Sequence, residues 1–116
     1  MKPIVILEKA GVFAENKDIA REIRLRDLLP ALEFGEEVTL DFGGVEAATQ
    51  SFIHALLSEI FRKHGNNVLD RVAFKSCNET VRKVIGIVVD YLQEGMGIET
   101  GGEGGGDPFD PTRQNG

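Results

Sequence analysis

The sequence predicts an α/β fold built on a mixed, mainly parallel sheet of about four strands. Short β-branched runs, such as Pro3 to Leu7 and Val38 to Phe42, alternate with longer stretches whose apolar residues recur at helical spacing. The resulting order, β(β)α-β-α-β-α, carries the chain across the sheet between strands, and such crossovers generate parallel neighbours. The composition then changes near Gly95, since eight of the 14 glycines fall in residues 95–116. A folded domain is therefore expected over residues 1–95 and a flexible, Gly-rich acidic tail over 96–116.

The first strand is expected at Pro3 to Leu7, followed by a turn near Lys9 to Gly11 and a short second strand at Val12-Phe13 that hairpins back. Asn16 to Ile23 has a helical period with Ile19, Ala20 and Ile23 on one face. Pro30 argues against one straight helix through Phe34, so a kinked or broken segment is expected, with Asp27 capping its second part and Gly35 ending it. Val38 to Phe42 is the clearest strand, stopped by Gly43-Gly44. After Thr49, Phe52, Ile53, Leu56, Leu57, Ile60 and Phe61 make a wide apolar helical stripe that ends at His64-Gly65. A strand is expected at Arg71 to Phe74, and Ser76-Cys77-Asn78-Glu79 has the S-x-x-E form of a capping box. The last helix is rich in β-branched residues (Val81, Val84, Ile85, Ile87, Val88, Val89), so it needs burial to be stable. The sheet is the first candidate to bury it, and a homodimer or partner face the second.

Charge and composition exclude several classes. With 19 acidic against 13 basic residues and a net charge of −6, the chain lacks the basic footprint of a nucleic-acid binder. The Arg21 to Arg26 stretch reads as a solvated helix face laced with ion pairs. No apolar run approaches a membrane span, and no signal-peptide pattern follows Met1. A single cysteine, Cys77, cannot form an internal disulfide. These features predict a cytoplasmic protein. Phosphate-loop, dinucleotide-binding, H-E-x-x-H, C-x-x-C and nucleophile-elbow motifs are all missing, so neither enzyme chemistry, nor a cofactor, nor a metal site is expected. His54 and His64 stand too far apart for an i, i+4 metal pair. Cys77 precedes a helix, where its thiol pKa can fall, but without a His or Asp partner it reads as inert. In the tail, Phe109 is the one aromatic residue, set between Asp107-Pro108 and Asp110-Pro111.

The segment from Val38 to Phe52 is the informative one. It leads a strand to its carboxyl end, through a loop of small residues, into a helix start with two hydroxyls. Open α/β sheets present partners and ligands at such ends, and a helix N-terminus offers unsatisfied N–H groups. A phosphate on Thr49 or Ser51 suits that dipole and adds about −2 charge, although a Thr or Ser there also serves simply as an N-cap. Asp41, with Gly43 and Gly44, reads as loop scaffold, its carboxylate accepting backbone N–H bonds.

Leu40-Asp41-Phe42-Gly43-Gly44-Val45, with Gln50-Ser51-Phe52 and Ala55-Leu56-Leu57, resembles the STAS domains of sulfate transporters and anti-sigma-factor antagonists, and more closely their uncharacterised STAS-like relatives. The resemblance runs from about Ala14 to Leu92. It implies a STAS-like sheet with helices packed mainly on one face. In bacterial anti-sigma-factor antagonists, a serine at this helix start is phosphorylated by a GHKL-type kinase that is also the binding partner. Here the family's Asp-Ser pair falls on Thr49-Gln50, and Ser51 lies one place later. The resemblance therefore implies a non-enzymatic interaction domain that docks a GHKL-type ATPase, kinase or related regulator through residues 41–54. Ser51, Thr49, Gln50, Phe52 and His54 are the expected contact or phosphorylation residues. A domain that senses a small ligand or nucleotide through the Gly43-Gly44 loop is the alternative.

Overall fold

In the computed structural model, which describes residues 2–97, three strands form one sheet: β1 (Lys2–Val5), β3 (Val38–Asp41) and β5 (Val72–Lys75), in the order β1-β3-β5. Every pairing is parallel, with Lys2, Val38 and Val72 in one row and Ile4, Leu40 and Phe74 in another. Alternation along the strands then sorts the side chains. Ile4, Val38, Leu40 and Val72 are buried on one face, whereas Pro3, Ala73 and Lys75 are exposed on the other. The helices thus cover one side of the sheet. The expected tail lies, from residue 98 on, outside the described residues.

The N-terminal region departs from the sequence expectation. The first strand ends at Val5, and Ile6–Ala10 form a short helix, α1, in place of the expected strand end and turn. Ile4-Val5-Ile6 favours a strand, but Leu7-Glu8-Lys9-Ala10 are good helix formers and Ile6 is drawn fully into the core. Gly11 closes the helix at φ 81°, its N–H bonded to the Leu7 carbonyl at 2.9 Å. Val12-Phe13 therefore does not hairpin back. Instead β2 (Phe13–Ala14) pairs in parallel with β4 (Ala47–Ala48), a two-residue ladder separate from the main sheet. The expected mixed sheet of about four strands is thus a three-stranded and a two-stranded set, parallel throughout.

Pro30 does not break its helix. The helix α2 (Lys17–Ile23) passes through a π-helical turn, Arg24–Leu28, into α3 (Leu29–Glu33). The cause is the spacing of the apolar residues: Ile23 and Leu28 are both buried and five apart, one more than an α-helix accommodates on one face. A π turn absorbs the extra residue, with the Leu29 N–H bonded five residues back to Arg24. Leu25 is left outside, about half exposed. Pro30, which has no N–H, falls in the first turn of α3. Asp27 does not cap that turn, since its carboxylate faces Lys9 Nζ at 3.5 Å. At the other end, Asn16 caps α2, its Oδ1 accepting from the N–H groups of Asp18 (2.8 Å) and Ile19 (3.3 Å). The Arg71 guanidinium donates to the carbonyls of Leu32 and Glu36, fixing the exit of α3 against the sheet.

Two long helices complete the layer: α4 (Gln50–His64) and α5 (Glu79–Gly97). The apolar stripe of α4 is buried throughout, and Phe42, Phe52 and Phe61 are among the largest side chains fully withdrawn from solvent. Helix α5 packs chiefly on α4 rather than on the sheet strands, burying Val81, Ile85, Val88 and Leu92. No helix among the described residues is long and apolar enough to cross a membrane.

Candidate functional site

At the carboxyl end of β3, Phe42 plunges into the core while Asp41 turns its carboxylate back on the chain. Its Oδ1 accepts from the Gly43 N–H at 2.8 Å. Gly44 holds φ 82°, and a Cβ there would stand 2.9 Å from the Leu7 side chain. The Leu7 side chain of α1 thus packs directly against the loop at Gly44. The following residues are stitched to β2: Glu46 N–H donates to the Val12 carbonyl (2.8 Å) and Thr49 N–H to the Ala14 carbonyl (3.0 Å).

Thr49 is the N-cap of α4, its Oγ1 accepting from the Phe52 N–H at 3.1 Å. Thr49→Ala is expected to cost about 1 kcal/mol, and for a domain of this size to lower Tm by roughly 4–8 °C. Thermal unfolding followed by circular dichroism checks this, with Thr49→Ser, which keeps the capping hydroxyl, recovering most of the loss. Gln50 and Ser51 open the helix and are exposed, as is Thr49 itself. The first turn holds no acidic side chain, while Arg62, Lys63 and His64 crowd the last, so the positive end of the helix dipole is left without a carboxylate of its own.

Two of the predicted contact residues lie differently. Phe52 is fully buried, so it roots the helix in the core and offers a partner no surface; the same apolar spacing that made it conspicuous puts it inside. His54, two residues further on, is half-buried and rests against Tyr91 of α5, ring centroids 6.1 Å apart.

Sequence reasoning missed two features beside this helix start. Val12 and Phe13 are 40% and 59% exposed, and Phe13 stands in register with Ala47, two residues before Thr49. They give the hydroxyl-bearing turn an apolar border. The signal was the apolar pair itself, but its position depended on a long-range pairing that no local pattern encodes. The second is Asn78. The expected Ser76 capping box does not form, since Ser76 takes a left-handed φ of 59° and the cap falls on Asn78, whose Oδ1 accepts from the Val81 N–H at 2.8 Å. Its amide Nδ2 donates to the carbonyls of Val45 (3.3 Å) and Glu46 (3.0 Å). One side chain thus starts α5 and clamps the loop leading to α4.

Cys77 lies between them, half-buried. Burial pushes its thiol pKa up, Arg82 opposes that and Asp41 adds to it, a direction that agrees with reading the thiol as inert. No group of three or more His, Cys, Asp or Glu side chains converges as a metal site among the described residues.

Residues 20–82 match a family model described as a STAS-like domain of unknown function (DUF4325). No curated protein and no solved structure is similar enough to match. The matched span runs from the middle of α2 into the first turn of α5 and contains the whole β3-loop-α4 unit.

Proposed function

The chain belongs to the family of STAS-like domains, and from that premise we propose that it is a non-catalytic regulatory module that binds a protein partner through the N-terminus of α4. One observation carries the reading: Thr49, Gln50 and Ser51 stand exposed on a rigidly capped helix start, bordered by exposed Val12 and Phe13. An aromatic anchor beside a ring of polar groups is what a protein interface requires. The partner proposed, from the resemblance to anti-sigma-factor antagonists, is a GHKL-type ATPase or kinase. Ser51 is the proposed phosphorylation residue, because the Thr49 hydroxyl is already engaged as the cap. A phosphate on Ser51 places about −2 charge in the middle of the contact surface, enough to dismiss a partner that docks there.

The test is binding of a GHKL-type ATPase from the same genome to four proteins, by titration calorimetry. Ser51→Ala should bind as the parent does, Ser51→Asp at least about tenfold more weakly, a difference of roughly 1.4 kcal/mol, and Phe13→Ser likewise. Incubation with ATP and mass spectrometry should place one phosphate on Ser51. Equal binding by all four proteins, with no phosphate, sinks the proposal.

A further inference from the structure

Because α5 packs on α4, it leaves the edge of the sheet partly uncovered, and a groove of about 480 Å³ opens between β5 and α5. Leu69, Phe74, Ile85 and Val89 line it, Gly86 contributes no side chain to it, and Arg82 is its single charged lining residue. The outer edge of β5 pairs with no other strand among the described residues, so its backbone groups are open along the same side. Apolar walls, one cation and a free strand edge together suit a short peptide with an aromatic residue and acidic neighbours.

This chain contains one. Asp107-Pro108-Phe109-Asp110-Pro111 sets a phenyl ring between two aspartates. The described part of helix α5 reaches Gly97, eleven residues and thus about 16 Å along the helix from Gly86. The twelve residues 98–109 can reach at most about 40 Å, more than twice that distance. A covalently tethered segment meets such a groove at an effective concentration near the millimolar range, so even weak apolar contacts are occupied. We propose that residues 107–111 of this chain dock in its own β5–α5 groove, Phe109 against Phe74, Ile85 and Val89, and the flanking aspartates toward Arg82. The proposal is independent of the surface at the start of α4.

Cys77 also lines this groove and is the only cysteine in the chain, so the rate of its modification by a thiol reagent reports whether the groove is filled. In the full-length protein, Phe109→Ala should raise that rate by about fivefold, the protection a millimolar effective concentration gives a sub-millimolar contact. Asp107→Asn with Asp110→Asn should raise it less, and a peptide of residues 105–113 added to the Phe109→Ala protein should restore protection. The parental rate should not change with protein concentration. Equal rates for the parent and Phe109→Ala overturn the proposal. Protection that vanishes on dilution overturns it also, by assigning the groove to the tail of a second copy.

Discussion

Phe52→Ala is expected to remove about 3–5 kcal/mol of folding stability, the cost of emptying a fully enclosed phenylalanine site. Phe52 is 0% exposed and sits in the same cluster as Phe42, Leu56 and Phe61. Its N–H also donates to the capping hydroxyl of Thr49, so the cavity opens directly beneath the helix start. Domains of this kind are stable by only about 5–15 kcal/mol in total, so the variant should lose a large part of its denaturation midpoint in urea while keeping the same m value. Phe34→Ala is the control. Phe34 is 85% exposed, and its loss should stay within about 0.5 kcal/mol. Equal midpoints for the two variants would contradict the packing described for α4.

Phe52 and Phe34 also show where the sequence was legible. The stripe from Phe52 to Phe61 repeats at the helical period, and that regularity alone told which face of α4 is buried. The Val38 to Asp41 strand and the two-glycine stop were equally plain, because alternation and turn chemistry are local. What failed was decided elsewhere in the chain. The Ile4-Val5-Ile6 run reads as a strand until the core claims Ile6 and the following helix formers take over. Val12-Phe13 reads as a hairpin return, yet its partner lies at Ala47-Ala48, more than thirty residues on. In Ser76 to Glu79 the box pattern pointed to the serine, but the asparagine two places later makes contacts to Val45 and Glu46 that no local spacing announces. At the candidate site, the exposed trio Thr49, Gln50 and Ser51 could be named from the sequence, whereas its apolar border could not. For Phe52 the helical period and the resemblance point in different directions, the first to the core and the second to a contact surface, and its burial follows the period.

Asn78 carries the second large expectation. Asn78→Ala removes an N-cap, about 1 kcal/mol, and two hydrogen bonds to carbonyls worth about 0.5–1.5 kcal/mol each, so a loss of roughly 2–4 kcal/mol is expected in chemical denaturation. Asn78→Asp separates the two roles. The carboxylate still accepts from the Val81 N–H and suits the start of α5, but it can no longer donate to the Val45 and Glu46 carbonyls and repels them instead. Backbone amides from Glu46 to Thr49 should then exchange with solvent markedly faster than in the parent, while those inside α5 keep their protection. Uniform acceleration in both places would mean that Asn78 acts only as a cap.

The π turn at Arg24–Leu28 has a metric consequence. Residues 17–33 contain one residue more than an uninterrupted α-helix would use for the same apolar alignment, so seventeen residues do the work of a sixteen-residue strut about 24 Å long. Both ends are pinned, by Asn16 at the start and by Arg71 on the Leu32 carbonyl at the finish. The surplus therefore cannot unwind into either flanking connection. It is held in mid-span, where the Arg24 guanidinium ties it to the Ala55 carbonyl of α4 at 3.0 Å. The spacing between the two-stranded ladder and the entry of β3 is in this way set by a length of helix, and not by the slack of a loop.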